Sequence, residues 1–181
     1  MTALKVGIIG LGGGASAMIP KFAANANYHV AAAADIDQGQ LDAFSSRYEG
    51  KTFLSAEELC NSSVVDIIYI ATPNQFHTEH VLMALDGGKH VLVEKPMTLN
   101  LVDADAMIDA VARCQRVIPY IDMPIQHIDN TMLKRMGRRL GEDGTRDLFR
   151  RMRERIPSLV LRTTFIVGFP GETREQFEKL V

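Results

Sequence analysis

The sequence predicts an α/β fold: a doubly wound, Rossmann-like parallel sheet with strand order 3-2-1-4-5-6-7. Three observations carry this. Short apolar runs alternate with helical patterns along the whole chain. The first run ends in a glycine-rich turn that opens a helix, and an acidic residue closes the second run. Strand–helix–strand alternation requires parallel pairing through right-handed crossovers.

The elements follow in order. Leu4 to Gly10 (LKVGIIG) is a short apolar run, as a buried parallel strand should be. Ala15 to Asn25 has helical spacing, with Met18, Ile19 and Phe22 on one face, and Pro20 fits only near its first turn. Tyr28 to Asp35 is the second strand, Gln40 to Tyr48 a helix and Thr52 to Leu54 a short third strand. Ser55 to Glu58 has the capping-box spacing for a small helix. Val64 to Ala71 is the fourth strand, and His77 to Leu85 a helix closed by Gly87-Gly88. His90 to Glu94 is the fifth strand, and Leu101 to Ala112 a helix. Beyond Cys114 the pattern continues with a strand over Arg116 to Met123 and a helix over Asn130 to Arg139, broken at Gly141 to Gly144. Thr145 is the expected cap of a helix to Ile156, Leu159 to Val167 the seventh strand, and Arg174 to Leu180 a last helix.

Composition narrows the function classes. At 181 residues, 46% hydrophobic and 23% charged, the chain can bury one α/β core. No run of 18 apolar residues suggests a membrane span, and the N-terminus runs straight into a strand with no leader pattern. Cys60 and Cys114 make neither a disulfide framework nor a metal-thiolate cluster, so a reduced, cytoplasmic protein is expected. The net charge of −2 divides unevenly. Met1 to Cys114 has 7 Lys and Arg against 13 Asp and Glu, whereas Gln115 to Val181 has 13 against 9. The basic stretches interleave acids and carry no aromatic stacking platform, so no nucleic-acid partner is expected.

Gly10-Leu11-Gly12-Gly13-Gly14-Ala15 fits G-x-G-x-x-[GA] in the strand-to-helix context that the motif requires. Gly10 serves the tight turn, Gly12 admits a pyrophosphate to the backbone, and Ala15 keeps strand and helix close. Gly13 belongs to the same turn as a cofactor-binding candidate, and the helix N-terminus that follows offers free N–H groups and a positive dipole end. Asp35, ending the second strand, is placed to accept hydrogen bonds from the adenosine ribose, and its charge disfavours a 2′-phosphate. NAD is thus expected over NADP. The competing reading is a glycine-rich turn with a solvated Asp.

Met1 to about Cys114 resembles the N-terminal domain of the Gfo/Idh/MocA oxidoreductase family, and within it the dihydrodiol dehydrogenases. The residues are Gly10 to Ala15, Asp35, Ala71-Thr72-Pro73-Asn74 with His77, and Gly87-Gly88-Lys89-His90-Val91-Leu92-Val93-Glu94-Lys95-Pro96. The resemblance implies that Thr72, Pro73 and Asn74 line the cofactor. It places Glu94 and Lys95 near the nicotinamide, with Lys95 assisting proton transfer, and makes Lys95–Pro96 a cis bond. For His77 and His90, packing or solvent contact is the favoured reading over catalysis.

Gln115 to Val181 departs from that family and is similar to radical S-adenosylmethionine methylthiotransferases. It does so through Pro119 to His127, Leu133 to Arg138, Arg153 to Pro157 and Leu161 to Thr173. This resemblance implies two units of an open (β/α) barrel, with Gln126, His127, Arg162 and Gly168 to Glu172 near the cofactor. That family's CxxxCxxC cluster motif is missing, so no iron–sulfur cluster is expected.

The sequence therefore reads as one α/β domain over 1–181, with a dinucleotide-binding part over 1–114 completed by a barrel-derived part over 115–181. An engineered chimera without evolved catalytic activity is the expectation, retaining weak NAD(H) binding, as a monomer or weak homodimer. The alternative is an NAD-dependent oxidoreductase or its cofactor-binding module.

Overall fold

The apolar run Leu4–Ile9 forms β1, the centre of a five-stranded parallel sheet. The computed structural model describes residues 2–97, 101–114 and 117–181. β2 (Tyr28–Ala34) pairs on one side of β1 through Val6↔Val30 and Ile8↔Ala33. β4 (Ile67–Ile70) pairs on the other through Val6↔Ile67 and Ile8↔Tyr69. β3 (Lys51–Phe53) and β5 (His90–Val93) lie outside these, giving the order β3-β2-β1-β4-β5. The first five positions of the expected order are therefore observed.

Side-chain alternation on these strands builds two cores. On one face, Val6, Ile8, Val30 and Tyr69 pack with Ala15, Ile19 and Phe22 of α1 (Gly13–Ala23) and Leu41 and Phe44 of α2 (Gln38–Tyr48). On the other, Ile9, Ala32, Ile68 and Ile70 pack with Leu59 of α3 (Ala56–Asn61), Val81 and Ala84 of α4 (His77–Asp86), and Met107 of α5 (Leu101–Arg113). Helices on both faces make the sheet doubly wound and explain why its strands read as continuous apolar runs. Each fully buried Val, Leu or Ile stabilises such a core by roughly 1.5–3 kcal/mol.

Local signals set the boundaries. Asp37 caps α2 by accepting from the Gly39 amide at 2.8 Å, and Ser55 Oγ accepts from Glu58 at the start of α3. After α4, Gly88 turns the chain with φ +70°, a left-handed conformation that glycine adopts without penalty. Helix α1 starts two residues earlier than the sequence suggested, so Pro20 is its eighth residue and not a first-turn residue. Burial of Ile19 and Phe22 on either side offsets the lost backbone bond.

The described chain divides into two compact units, Met1–Val117 and Ile118–Val181. In the second, β6 (Tyr120–Asp122) and β7 (Val160–Arg162) pair in parallel through Tyr120↔Val160 and Asp122↔Arg162. They form their own two-stranded sheet. This corrects the expectation that strands six and seven extend the first sheet to 3-2-1-4-5-6-7. The reason is partly local. Pro119 and Pro124 flank β6 and remove ladder donors, leaving a three-residue strand. That strand's groups are met by β7: Val160 donates to Pro119 O and Met123 to Arg162 O. The expected start of this strand at Arg116 lies outside the described residues. The seventh strand is also shorter than expected, because the Thr163 hydroxyl, not a backbone group, accepts from Ile125 N. Pairing resumes at the single bridge Gln126↔Phe165.

Helices α6 (Asn130–Arg135), α7 (Glu142–Arg155) and α8 (Arg174–Leu180) complete the second unit. Its core holds Ile128, Met132, Leu133, Met152 and Ile156. Thr145 does not cap α7. The helix begins at Glu142, whose amide donates to Asn130 Oδ1, and Thr145 is buried inside it with Oγ1 donating to Gly141 O. A local hydrogen-bond partner from α6 thus overrides the Gly-rich break.

Candidate functional site

The site grows from the carboxyl end of β1. Gly10 has φ +86°, and a Cβ there would lie 2.9 Å from Thr72 Cγ2 and 3.0 Å from the Ala71 carbonyl group. Glycine is required by both conformation and space. At Gly12 and Gly13 the opposite holds, since nothing lies within 4 Å of the position a Cβ would take. Gly12 is the N-cap residue of α1 and Gly13 its first residue, and the first turn has no acidic side chain. An anion can approach these amides along the helix axis. Ala15, fully buried, packs against β1 as expected of the motif's last position.

Asp35 follows β2. Its Oδ2 accepts from Leu11 N at 2.6 Å and its Oδ1 from Asp37 N at 2.9 Å. One backbone bond on each oxygen leaves further lone pairs for a ligand. Asp35 lines a cavity of about 390 Å³ together with Gly10, Gly12, Thr72 and Pro73. The volume suits a small-molecule site. Among the described residues no Lys or Arg lines it, and Asp35 is the only carboxylate that does.

The remaining sequence candidates take other positions. Asn74 opens a short 3₁₀ turn, Asn74–Phe76, and is exposed. His77 is fully buried, with Nδ1 2.9 Å from Pro96 O and Nε2 2.9 Å from Thr72 O. It ties the loop after β4 to the loop after β5. Glu94 accepts from the Tyr69 hydroxyl at 2.5 Å, and this bond holds its carboxyl below the ordinary range. Burial first, then Glu94, pushes the Tyr69 phenol up. Glu94 Cγ lies 3.7 Å from where a Cβ on Gly14 would stand, so the carboxylate sits beside the start of α1. Lys95 and Pro96 are exposed, and the peptide bond between them is cis. The cavity thus gathers Gly10, Gly12, Asp35, Thr72 and Pro73, whereas Gly13, Ala15, Asn74, His77, Glu94, Lys95 and Pro96 lie outside its lining.

Among the lining residues that the sequence did not single out, the large side chains are Ile9, Ile36, Leu54, Phe76 and His80. Ile36, Leu54 and Phe76 are exposed apolar residues, Ile36 at 93%. A β-branched residue directly after the acidic strand end was the available signal. Sequence reasoning also missed Tyr69, and gave Lys89 no role of its own. Lys89 Nζ donates to the carbonyls of Ser62 and Val65 and pins the loop before β4.

In the second unit, fully buried His127 accepts from Asp129 N at Nδ1, so Nε2 carries the proton toward Glu172 Oε1 at 3.0 Å. Glu172 Oε2 accepts from Gly168 and Phe169. Gln126 has φ +72° at the bridge to Phe165, and Arg162 pairs with Asp122 at 2.9 Å. Among the described residues no three His, Cys, Asp or Glu side chains gather as a metal site would need. The two cysteines of the sequence cannot supply the three thiolates of a CxxxCxxC cluster, and burial pushes the Cys60 thiol up to about 11.

A parallel sheet in this order, with a glycine turn and an acidic strand end at the carboxyl edge, defines a Rossmann-type unit. Residues 4–120 match the family model described as "Oxidoreductase family, NAD-binding Rossmann fold" (GFO_IDH_MocA), and the chain belongs to this family. Solved structures agree on the fold. A scyllo-inositol dehydrogenase of Lactobacillus casei, with bound NAD(H) and scyllo-inositol, aligns with TM-score 0.61 at 24% identity over 64% of this chain and 34% of that one. The 3-ketoreductase KijD10 of Actinomadura kijaniata, solved with NADP and TDP-benzene, gives 0.57 at 29% identity over 60% and 34%. The C-terminal part is similar to the ribosomal protein uS12 methylthiotransferase RimO. The protein of Syntrophotalea carbinolica is 56% identical over 78 residues, covering 43% of this chain and 17% of its own length. That of Clostridium botulinum is 44% identical over 152 residues, covering 76% and 33%. The chain spans a third or less of these two relatives.

Proposed function

We propose that the chain is a chimera of an oxidoreductase Rossmann unit and a methylthiotransferase segment, and that its function is weak NAD(H) binding without evolved catalysis. One observation carries the reading. Asp35, the only carboxylate among the described residues that line the 390 Å³ cavity, is braced by the Leu11 amide of the glycine turn and leaves lone pairs for a ribose diol. The residues fit the group: Gly12 and Gly13 leave open space before the α1 N-terminus for a pyrophosphate, and Thr72 and Pro73 wall the cavity. With no Lys or Arg in the lining among the described residues, a 2′-phosphate would meet Asp35 unneutralised, so NAD(H) is preferred over NADP(H). Bound NAD would supply hydride chemistry, and Lys95 is the ancestral proton-transfer residue.

The absence of evolved turnover is supported by the change of family along the chain. From Ile118 onward the residues form a separate unit with methylthiotransferase-like sequence. Natural fusions seldom join two folds mid-domain, which favours an engineered origin. An NAD-dependent oxidoreductase, or the cofactor module of one, is the second reading, favoured by the family match. Calorimetric titration with NADH and NADPH tests the proposal. Binding of NADH alone, or distinctly tighter, is expected; equal affinities would overturn the role of Asp35.

A further inference from the structure

The following rests on the reading that the cavity takes a dinucleotide. His80 lies on α4, one turn beyond His77, and lines the cavity with Phe76. Its Nδ1 is 3.1 Å from Thr72 Oγ1, and its ring lies 6.0 Å from that of Phe76 at a 31° tilt. The residue is half-buried. Its Nδ1 is the ring nitrogen that Thr72 engages, and no hydrogen bond to Nε2 is seen among the described residues. Nε2 is thus the ring nitrogen with no bond to a described residue, on a side chain that lines the cavity.

The surroundings say which part of a dinucleotide this end takes. Asp35, Ile36 and Leu54 come from the β2 and β3 side, and Ile36, Leu54 and Phe76 offer apolar surface. Glu94 and Lys95, the nicotinamide-side candidates, are absent from the lining. A largely apolar cavity next to a carboxylate placed for a ribose suits a purine base.

We propose that His80 is a base-reading residue, its ring anchored by Thr72 and its Nε2 directed to a polar edge of the adenine. Burial holds the His80 imidazole below the usual histidine range, so it is neutral near pH 7 and can donate or accept at Nε2. The Thr72 hydroxyl can serve either tautomer. A neutral ring beside Phe76 also offers a face for stacking.

The test uses the full chain with NADH, AMP and nicotinamide mononucleotide as probes. His80→Leu should weaken NADH and AMP by the same factor, about 3- to 10-fold as for one hydrogen bond, and leave nicotinamide mononucleotide unchanged. His80→Gln should recover part of the loss. In the unsubstituted protein, AMP should shift the His80 ring signals in NMR, a readout that does not depend on the variants folding. Unchanged affinities in His80→Leu with unmoved ring signals would overturn the proposal while leaving dinucleotide binding intact. So would equal weakening of nicotinamide mononucleotide. An unsubstituted protein that binds neither NADH nor AMP would overturn both readings.

Discussion

The Leu11 amide donates to Asp35 Oδ2 across 2.6 Å, joining the glycine turn after β1 to the end of β2. A carboxylate held this way is oriented before any ligand arrives. Asp35→Ala should weaken NADH binding and relax discrimination against NADPH. Removing a charged acceptor from an amide should also cost about 1.5–3 kcal/mol of stability. Titration and thermal unfolding check both. An Asp35→Ala protein that keeps its NADH affinity would remove Asp35 from the site.

Gly10 and Gly13 separate folding from binding. Gly10→Ala places a Cβ 2.9 Å from Thr72 Cγ2 at φ +86°, so the unfolding midpoint should drop, by roughly 1–3 kcal/mol. Gly13→Ala meets nothing within 4 Å and favours the helix, so stability should hold or rise by up to ~1 kcal/mol while NADH binding weakens. If Gly13→Ala binds NADH unchanged, the phosphate path over α1 is wrong.

Lys89 offers a structural test of the segment that precedes Glu94. Its ammonium group is bonded to Ser62 O and Val65 O, and Lys89→Met would leave both carbonyls without it. A loss of about 1–3 kcal/mol is expected in chemical denaturation. A loss below a few tenths would show that water replaces the lysine.

The second unit should be acid-sensitive through Glu172. Its bond to His127, then the amides of Gly168 and Phe169, hold the carboxyl below its ordinary value. A depressed folded-state value stabilises the fold above the unfolded pKa, about 4.3, and that contribution fades as pH falls through the folded value. Glu172→Gln should flatten the acid limb of a circular-dichroism titration below about pH 4.3. An unaltered limb would assign the acid response to other carboxylates.

Turnover should be absent. Hydride transfer needs the substrate carbon about 3–3.5 Å from the nicotinamide with an acid or base in reach. Lys95 is exposed, and from Ile118 the chain folds as a unit of different likeness. No NADH formation above background is expected with sugars, inositols or aromatic dihydrodiols. A rate that saturates in substrate and vanishes in Lys95→Ala would establish an oxidoreductase.

The sequence by itself determined the central sheet. An apolar run such as residues 6–9 is buried on both faces, and a G-x-G-x-x-A turn between strand and helix leaves the α1 N-terminus open by local geometry alone. Tertiary structure decided what pairs with what. Pro119 and Pro124 were visible, but that β6 would take β7 as its partner and not join the first sheet depended on matching donors and acceptors 40 residues apart. Likewise, Thr145 carries a cap's side chain, yet Asn130 on a preceding helix took the Glu142 amide and moved the start of α7. The cavity's own walls show the same division. Asp35 was legible from its distance to the glycines, whereas Ile36, Leu54, Phe76 and His80 converge only because three separate strand ends meet at one edge of the sheet. Local bonds follow from nearby residues, but convergence depends on contacts between distant ones, and those are settled by packing.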